Sequence, residues 1–165
     1  MAILPTLLPP PLPEALQPWL MLNHEFHVLI CHGASCQQAL SPSAISRHLR
    51  DRHQVKKELR NQADQYLEQW QWPYNSHSVP LPPDGSAPQP EIPVVDGFRC
   101  QNCMFKTRNR KALREHANKE HGQKRVPDKE IMVAVRLQTW FGEKRERYWV
   151  VNETGPGVSK HCLGL

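Results

Sequence analysis

Eight residues have the types and spacing that metal chemistry needs. Cys100 and Cys103 are separated by two residues, and His116 and His121 follow after twelve and then four. A two-residue gap lets both thiolates of a tight turn face one ion, and two histidines near one helical face complete a tetrahedron. Cys31, Cys36, His48 and His53 repeat the order with gaps of four, eleven and four, the central gap one short of the usual finger pattern. Thiolate and imidazole donors in fours favour zinc, so two Zn2+ ions are expected. His24, His27 and His32 are nearby alternative ligands for the first group and are read as surface residues. Cys162 is left over. An odd cysteine count argues against a closed disulfide framework, and with no basic n-region ahead of the apolar start a reducing, intracellular and nuclear location is expected.

The elements that must carry these ligands can be placed around them. Phe26, Val28 and Ile30 alternate with His27 and Leu29, which suits a short strand leading to Cys31, and Ser41-Pro42 suits an N-cap followed by proline at the first helical position. Val55, Leu59, Ala63, Tyr66, Leu67 and Trp70 form an apolar stripe at helical spacing that should pack on the chain's own core. Whether Pro42–Trp70 is one helix or two broken near Arg52-His53 stays open. In the second group Phe98, Phe105 and Leu113 stand where a ββα finger builds its small core, and Gly122 offers a helix stop. Residues 131–151 alternate as a β-hairpin that turns at Gly142-Glu143-Lys144-Arg145.

The expected organisation is a Pro/Leu-rich flexible arm (1–22), a first zinc module with an extended helix (23–71), an acidic linker (72–97), a C2H2 finger (98–125), the hairpin (126–152) and a loose tail (153–165). Six prolines precede residue 19, and seven more lie between Pro73 and Pro93. The expected fold class is small α+β: two C2H2-like zinc modules, each a strand or turn followed by a helix, joined by an amphipathic helix and a Pro-rich linker, with a C-terminal β-hairpin. With 39% hydrophobic residues and mean hydropathy −0.63, the chain has little material for one large core, so metal staples are in keeping.

The order of the motifs, "HEFHVLICHGASC", "SPSAISRHLRDRH", "IPVVDGFRCQNC", a finger and then "VAVRLQTWFGEKRERYWVV", resembles the fungal family named after orsellinic acid biosynthesis cluster protein D. The resemblance covers roughly residues 23–152. It implies the two Cys/His sites, and a region that family members often carry at the front of much larger proteins, some with helicase-like parts. No P-loop or helicase motif occurs in these 165 residues.

Function is read from charge and from what is missing. Between Met104 and Arg125 eight Lys/Arg face only Glu115 and Glu120, and the chain as a whole carries +5. If His116 is helix position seven, Asn109, Lys111, Ala112 and Glu115 fall at the base-facing places of a finger helix, flanked by Arg108, Arg110, Arg114 and Lys119. DNA or RNA is therefore the expected partner, contacted through Arg108, Asn109, Arg110, Lys111, Arg114 and Lys119. The alternative is a zinc-stabilised protein-interaction module, with the hairpin and its Tyr148 and Trp149 either forming a partner surface or covering the second finger. Catalysis and a small-molecule substrate are not expected, because four protein ligands leave no open position for water on either ion; a membrane helix is not expected, because prolines break the apolar start short of about 20 residues.

Overall fold

The computed structural model describes residues 8–33, 35–70, 78–142 and 147–154. The first residues of the arm, part of the linker, Glu143, Lys144 and Arg145 of the hairpin turn, and the tail with Cys162 lie outside that set. The chain divides into two compact units, Met1–Pro80 and Leu81–Leu165. The small α+β class expected from the sequence holds.

The first unit is a three-stranded antiparallel meander followed by two helices. Strands β1 (Leu20–Asn23), β2 (Val28–Cys31) and β3 (Gln38–Leu40) pair in that order, Leu20 opposite Cys31 and Cys31 opposite Gln38. The β1–β2 turn is closed by the Asn23 side chain, whose Oδ1 accepts the Phe26 N–H at 2.9 Å, with His27 in the left-handed region at φ 53°. Every residue of β2 is buried, so the alternating strand read from sequence is instead enclosed on both faces.

Helix α1 (Pro42–His53) starts where the Ser41-Pro42 pair predicts, although the Ser41 hydroxyl makes no capping bond. The open question of one helix or two is settled at Gln54, which adopts φ 53°. Its N–H goes to the Arg50 carbonyl at 3.1 Å and that of Val55 to Leu49 at 3.0 Å, and Val55 and Leu49 are both buried. This is a left-handed helix stop built on glutamine rather than glycine. Helix α2 (Lys57–Gln69) then returns, burying Ala63, Tyr66 and Trp70 in one cluster with Leu22, Leu29, Ile45 and Leu49, while Leu59 and Leu67 pack at its edge. The stripe serves the chain's own core.

The flexible arm is a correction. Residues 14–16 form a 3-10 turn whose Leu16 is fully buried, β1 is the first strand of the sheet, and the Tyr66 hydroxyl donates to the Pro10 carbonyl at 2.8 Å. Apolar residues spaced among prolines can still be core material when a helix with an open apolar face lies beside them.

In the second unit, β4 (Val95–Cys100), β5 (Lys106–Thr107) and α3 (Arg110–His121) make the finger. A short helix α4 (Asp128–Ile131) leads into β6 (Met132–Thr139), which pairs with β7 (Tyr148–Val150). The sheet order is β5-β4-β6-β7. The hairpin is therefore no separate appendage: β6 lies along the whole of β4, from Val95 opposite Leu137 to Cys100 opposite Met132. Close approach is possible because Gly97 leaves room for Leu137, which an added methyl would overlap.

The second part of the expected linker also belongs to this unit. Asp84 Oδ1 accepts the Val150 N–H at 2.7 Å, and Ser86 bridges Val151. Gln138 is fully buried and anchors the strand-like passage: its amide donates to the carbonyls of Gln89 and Ile92 and accepts from the Gln89 N–H at 2.8 Å. Trp140 and Trp149 pack against each other in a tilted pair, with centroids 4.8 Å apart and planes 47° from parallel. Trp149 is 1% exposed and Tyr148 6%, so neither forms the partner surface considered from sequence. Among the described residues no helix is long and apolar enough to cross a membrane.

Candidate metal centres

The four ligands of each group converge. In both, the ligand atoms lie within 4.8 Å of one another, and none of the four cysteines involved is in a disulfide. Tetrahedral bonds of about 2.3 Å to sulfur and about 2.0 Å to nitrogen would set S and N about 3.5 Å apart. The observed S···N separations are close to that: Cys31 and Cys36 Sγ lie 3.1 and 3.3 Å from His53 Nε2, and Cys103 Sγ lies 3.1 Å from His116 Nε2.

In the first centre Cys31 closes β2 and Cys36 sits after a turn fastened by its own N–H to the Gly33 carbonyl at 2.9 Å. His48 and His53 come from α1, their rings 5.2 Å apart and tilted by 59°. Burial pushes the Cys31 thiol up to about 11, and burial with the neighbouring His53 lowers the His48 pKa. Both shifts have the same meaning: the closed site prefers neutral groups unless a cation compensates the thiolates. The alternative ligand His32 is used elsewhere, its Nε2 2.8 Å from the Gln17 carbonyl.

In the second centre Cys100 closes β4. The Asn102 N–H points at its sulfur at 3.4 Å, and the Phe105 N–H points at Cys103 Sγ at 3.5 Å, so backbone donors face the two sulfurs. The turn is tied down by Cys100 N–H to the Phe105 carbonyl at 2.9 Å and by Gln101 N–H to the Ile131 carbonyl at 3.0 Å. Helix α3 carries His116 and His121. It opens on Asn109, whose Oδ1 accepts from the N–H groups of Lys111 and Ala112, and closes on Gly122 at φ 65°.

One expected core residue is misplaced. Phe105 is 37% exposed and lies flat on the His116 ring, with centroids 4.1 Å apart and planes 13° from parallel. Leu113 and Ala117 are instead covered by Ile131 and Met132 from beyond the finger, with Phe98 at the edge.

Two buried atoms test whether a metal fits. Nε2 of His48 and Nε2 of His121 are buried with no hydrogen-bond partner, and each histidine belongs to a four-donor cluster. Burying a polar atom unpaired costs free energy, and a coordinated ion removes that cost in both places.

The residues expected to contact nucleic acid all lie on α3 or just before it, but several are engaged. Asn109 caps the helix. Arg110 and Arg114 both pair with Asp128, at 2.8 and 2.6 Å. Lys111 and Lys119 keep looser pairs, 3.7 Å to Glu115 and 3.6 Å to Glu120, with side chains 83% and 84% exposed. Arg108 is exposed. Asp128 was not singled out from sequence, since nothing local in Pro127-Asp128 announces a partner on another helix.

Residues 19–122, which span both centres, match the family described as Orsellinic acid/F9775 biosynthesis cluster protein D. A curated protein of that same description from Emericella nidulans is 30% identical over 131 residues, covering 78% of this chain. The chain spans 25% of that relative's length. No solved structure matches. With most of its length and both Cys/His groups inside the matched region, the chain belongs to the OrsD family.

Proposed function

We propose that each centre holds one Zn2+ as a structural ion, and that the chain is a non-catalytic binding module. The observation carrying this is the pair of buried, unpartnered His48 and His121 Nε2 atoms inside closed four-donor sets. Cys2His2 sets suit zinc among the common metals. Four protein donors complete its coordination, so no position is left for a reacting water, and the ions work by holding small cores together. Elemental analysis of the purified chain tests this: about two zinc ions per chain are expected, and about one after Cys31→Ser or after Cys100→Ser. A wild-type content near zero refutes the reading.

The second reading is nucleic-acid contact through α3, in keeping with a nuclear location. It is favoured by the exposed Lys111 and Lys119 on a helix whose neighbourhood in the sequence carries an excess of positive charge. Binding to duplex DNA should then weaken steeply with salt. If no binding occurs at low salt, the module's partner is a protein.

A further inference from the structure

Asp128 opens α4 directly after Pro127, and both of its oxygens are used. Arg114 donates from Nε to Oδ1 at 2.6 Å and from Nη2 to Oδ2 at 2.7 Å, a bidentate fork. Arg110, one turn earlier on α3, adds Nε to Oδ2 at 2.8 Å. Two guanidinium groups thus converge on one small anion from a single helix face, as arginine pairs do when they hold a phosphate. The carboxylate is the better covered partner, 21% exposed against 58% and 56% for the arginines.

The chain bends back to bring it there. Gly122 and Arg125 both adopt left-handed conformations, at φ 65° and 60°. Glycine does so without penalty, but arginine does not, so the reversal is held at some conformational cost. Lys124 and Arg125, both exposed, flank the groove into which Asp128 reaches. The carboxylate thus lies against Arg110 and Arg114, beside a groove that Lys124 and Arg125 also line.

We propose that Arg110 and Arg114 form a phosphodiester-binding pair, and that Asp128 occupies it in cis as an acidic mask that nucleic acid displaces. This rests on the nucleic-acid reading above. In the masked state α3 presents Lys111 and Lys119 for first contact. The arginine pair engages once a phosphate replaces the carboxylate, so the mask lowers affinity for any polyanion that cannot seat a phosphate there.

The test uses the zinc-loaded full chain and a short mixed-sequence DNA duplex, with binding followed by fluorescence anisotropy from 50 to 200 mM salt. Both chains make the same phosphate contacts once bound, so Asp128→Asn should leave the salt slope nearly unchanged, but it should strengthen binding about tenfold or more at low salt because no carboxylate has to be displaced. Glu130→Gln, which removes the same charge two residues away, should strengthen binding far less. Adding Arg110→Gln and Arg114→Gln to Asp128→Asn should abolish the gain. In the presence of Asp128 the same two arginine changes should cost far less, a comparison that stands even if α4 loosens in the Asn variant. Equal behaviour of Asp128→Asn and Glu130→Gln, with wild type binding, overturns the mask and leaves the nucleic-acid reading intact. Absence of binding by wild type and Asp128→Asn alike at 50 mM salt overturns both.

Discussion

Gly33 lies between the two cysteines of the first centre, and a single methyl group there should dismantle it. A Cβ added at Gly33 would come closer than 3.0 Å to Cε1 of His53, and would stand 3.1 and 3.2 Å from Nδ1 and Nε2. Carbon atoms in contact rest about 3.5–4.0 Å apart, so the imidazole would have to retreat by about 1 Å. Ligand distances tolerate only about 0.2 Å. His53 has little room to comply, because it is the last residue of α1, followed at once by the Gln54 stop and buried Val55. The φ of Gly33 is not in the left-handed region, so the effect comes from the methyl group rather than from backbone strain. Changes to groups that only orient a ligand cost about 10- to 100-fold in metal affinity; displacing a ligand should reach the upper end or exceed it. A competition titration of Gly33→Ala against a zinc-binding dye reads this directly. One site should fall by about 100-fold while the second, whose four ligands all lie in the other unit, serves as the internal standard. Two sites of wild-type affinity would refute the reasoning that His53 is a ligand held in place by the empty space at Gly33.

Three further outcomes can be checked by denaturation. Leu49→Ala removes a fully buried side chain from the first core and should destabilise that unit by about 2–5 kcal/mol, read as a lowered transition in urea. Gln138→Leu leaves the Gln89 N–H and the carbonyls of Gln89 and Ile92 without their buried partner, at about 1–3 kcal/mol for each group that water cannot reach; an unchanged melting temperature would contradict the anchoring role. The hydrogen bonds from Arg114 hold the Asp128 carboxyl below the ordinary carboxylate range. Its folded-state pKa is depressed, so the clamp's contribution is complete above about pH 4, the unfolded value, and is lost only as pH falls through the folded one. The difference in thermal stability between wild type and Asp128→Asn should therefore be flat from pH 5.5 to 8.

The ligands were legible in the sequence because their geometry is local. Cys100 and Cys103 share one turn, and His116 and His121 share one helix, so spacing alone reports them. Ser41-Pro42 marked the start of α1 for the same reason. What escaped was non-local or chemically unmarked. Nothing near Met132 says that it will stand opposite Cys100, and Ile131 and Met132 took the place in the core that Phe105 seemed to hold. The break between α1 and α2 falls on a glutamine, which rarely adopts the left-handed conformation and so gives no warning. The arm and the linker misled through their prolines: composition said extended, and extended they partly are, but as β1 and as the passage past Gln138, packed rather than loose.

The pairing of β4 with β6 also sets a timetable. The finger's own strands and helix are contiguous, but the partner strand ends at Thr139, and Val95 meets Leu137 across more than forty residues. Contacts that far apart in the chain form slowly, because the loop must close before they stabilise anything. During synthesis, at about 5–20 residues per second, the meander and helices of the first unit are complete long before β6 has left the ribosome. The second centre can gather its four ligands by then, yet Leu113 stays uncovered until Ile131 and Met132 arrive. The nascent chain thus passes through a stage in which one unit is finished and the other is a bare finger.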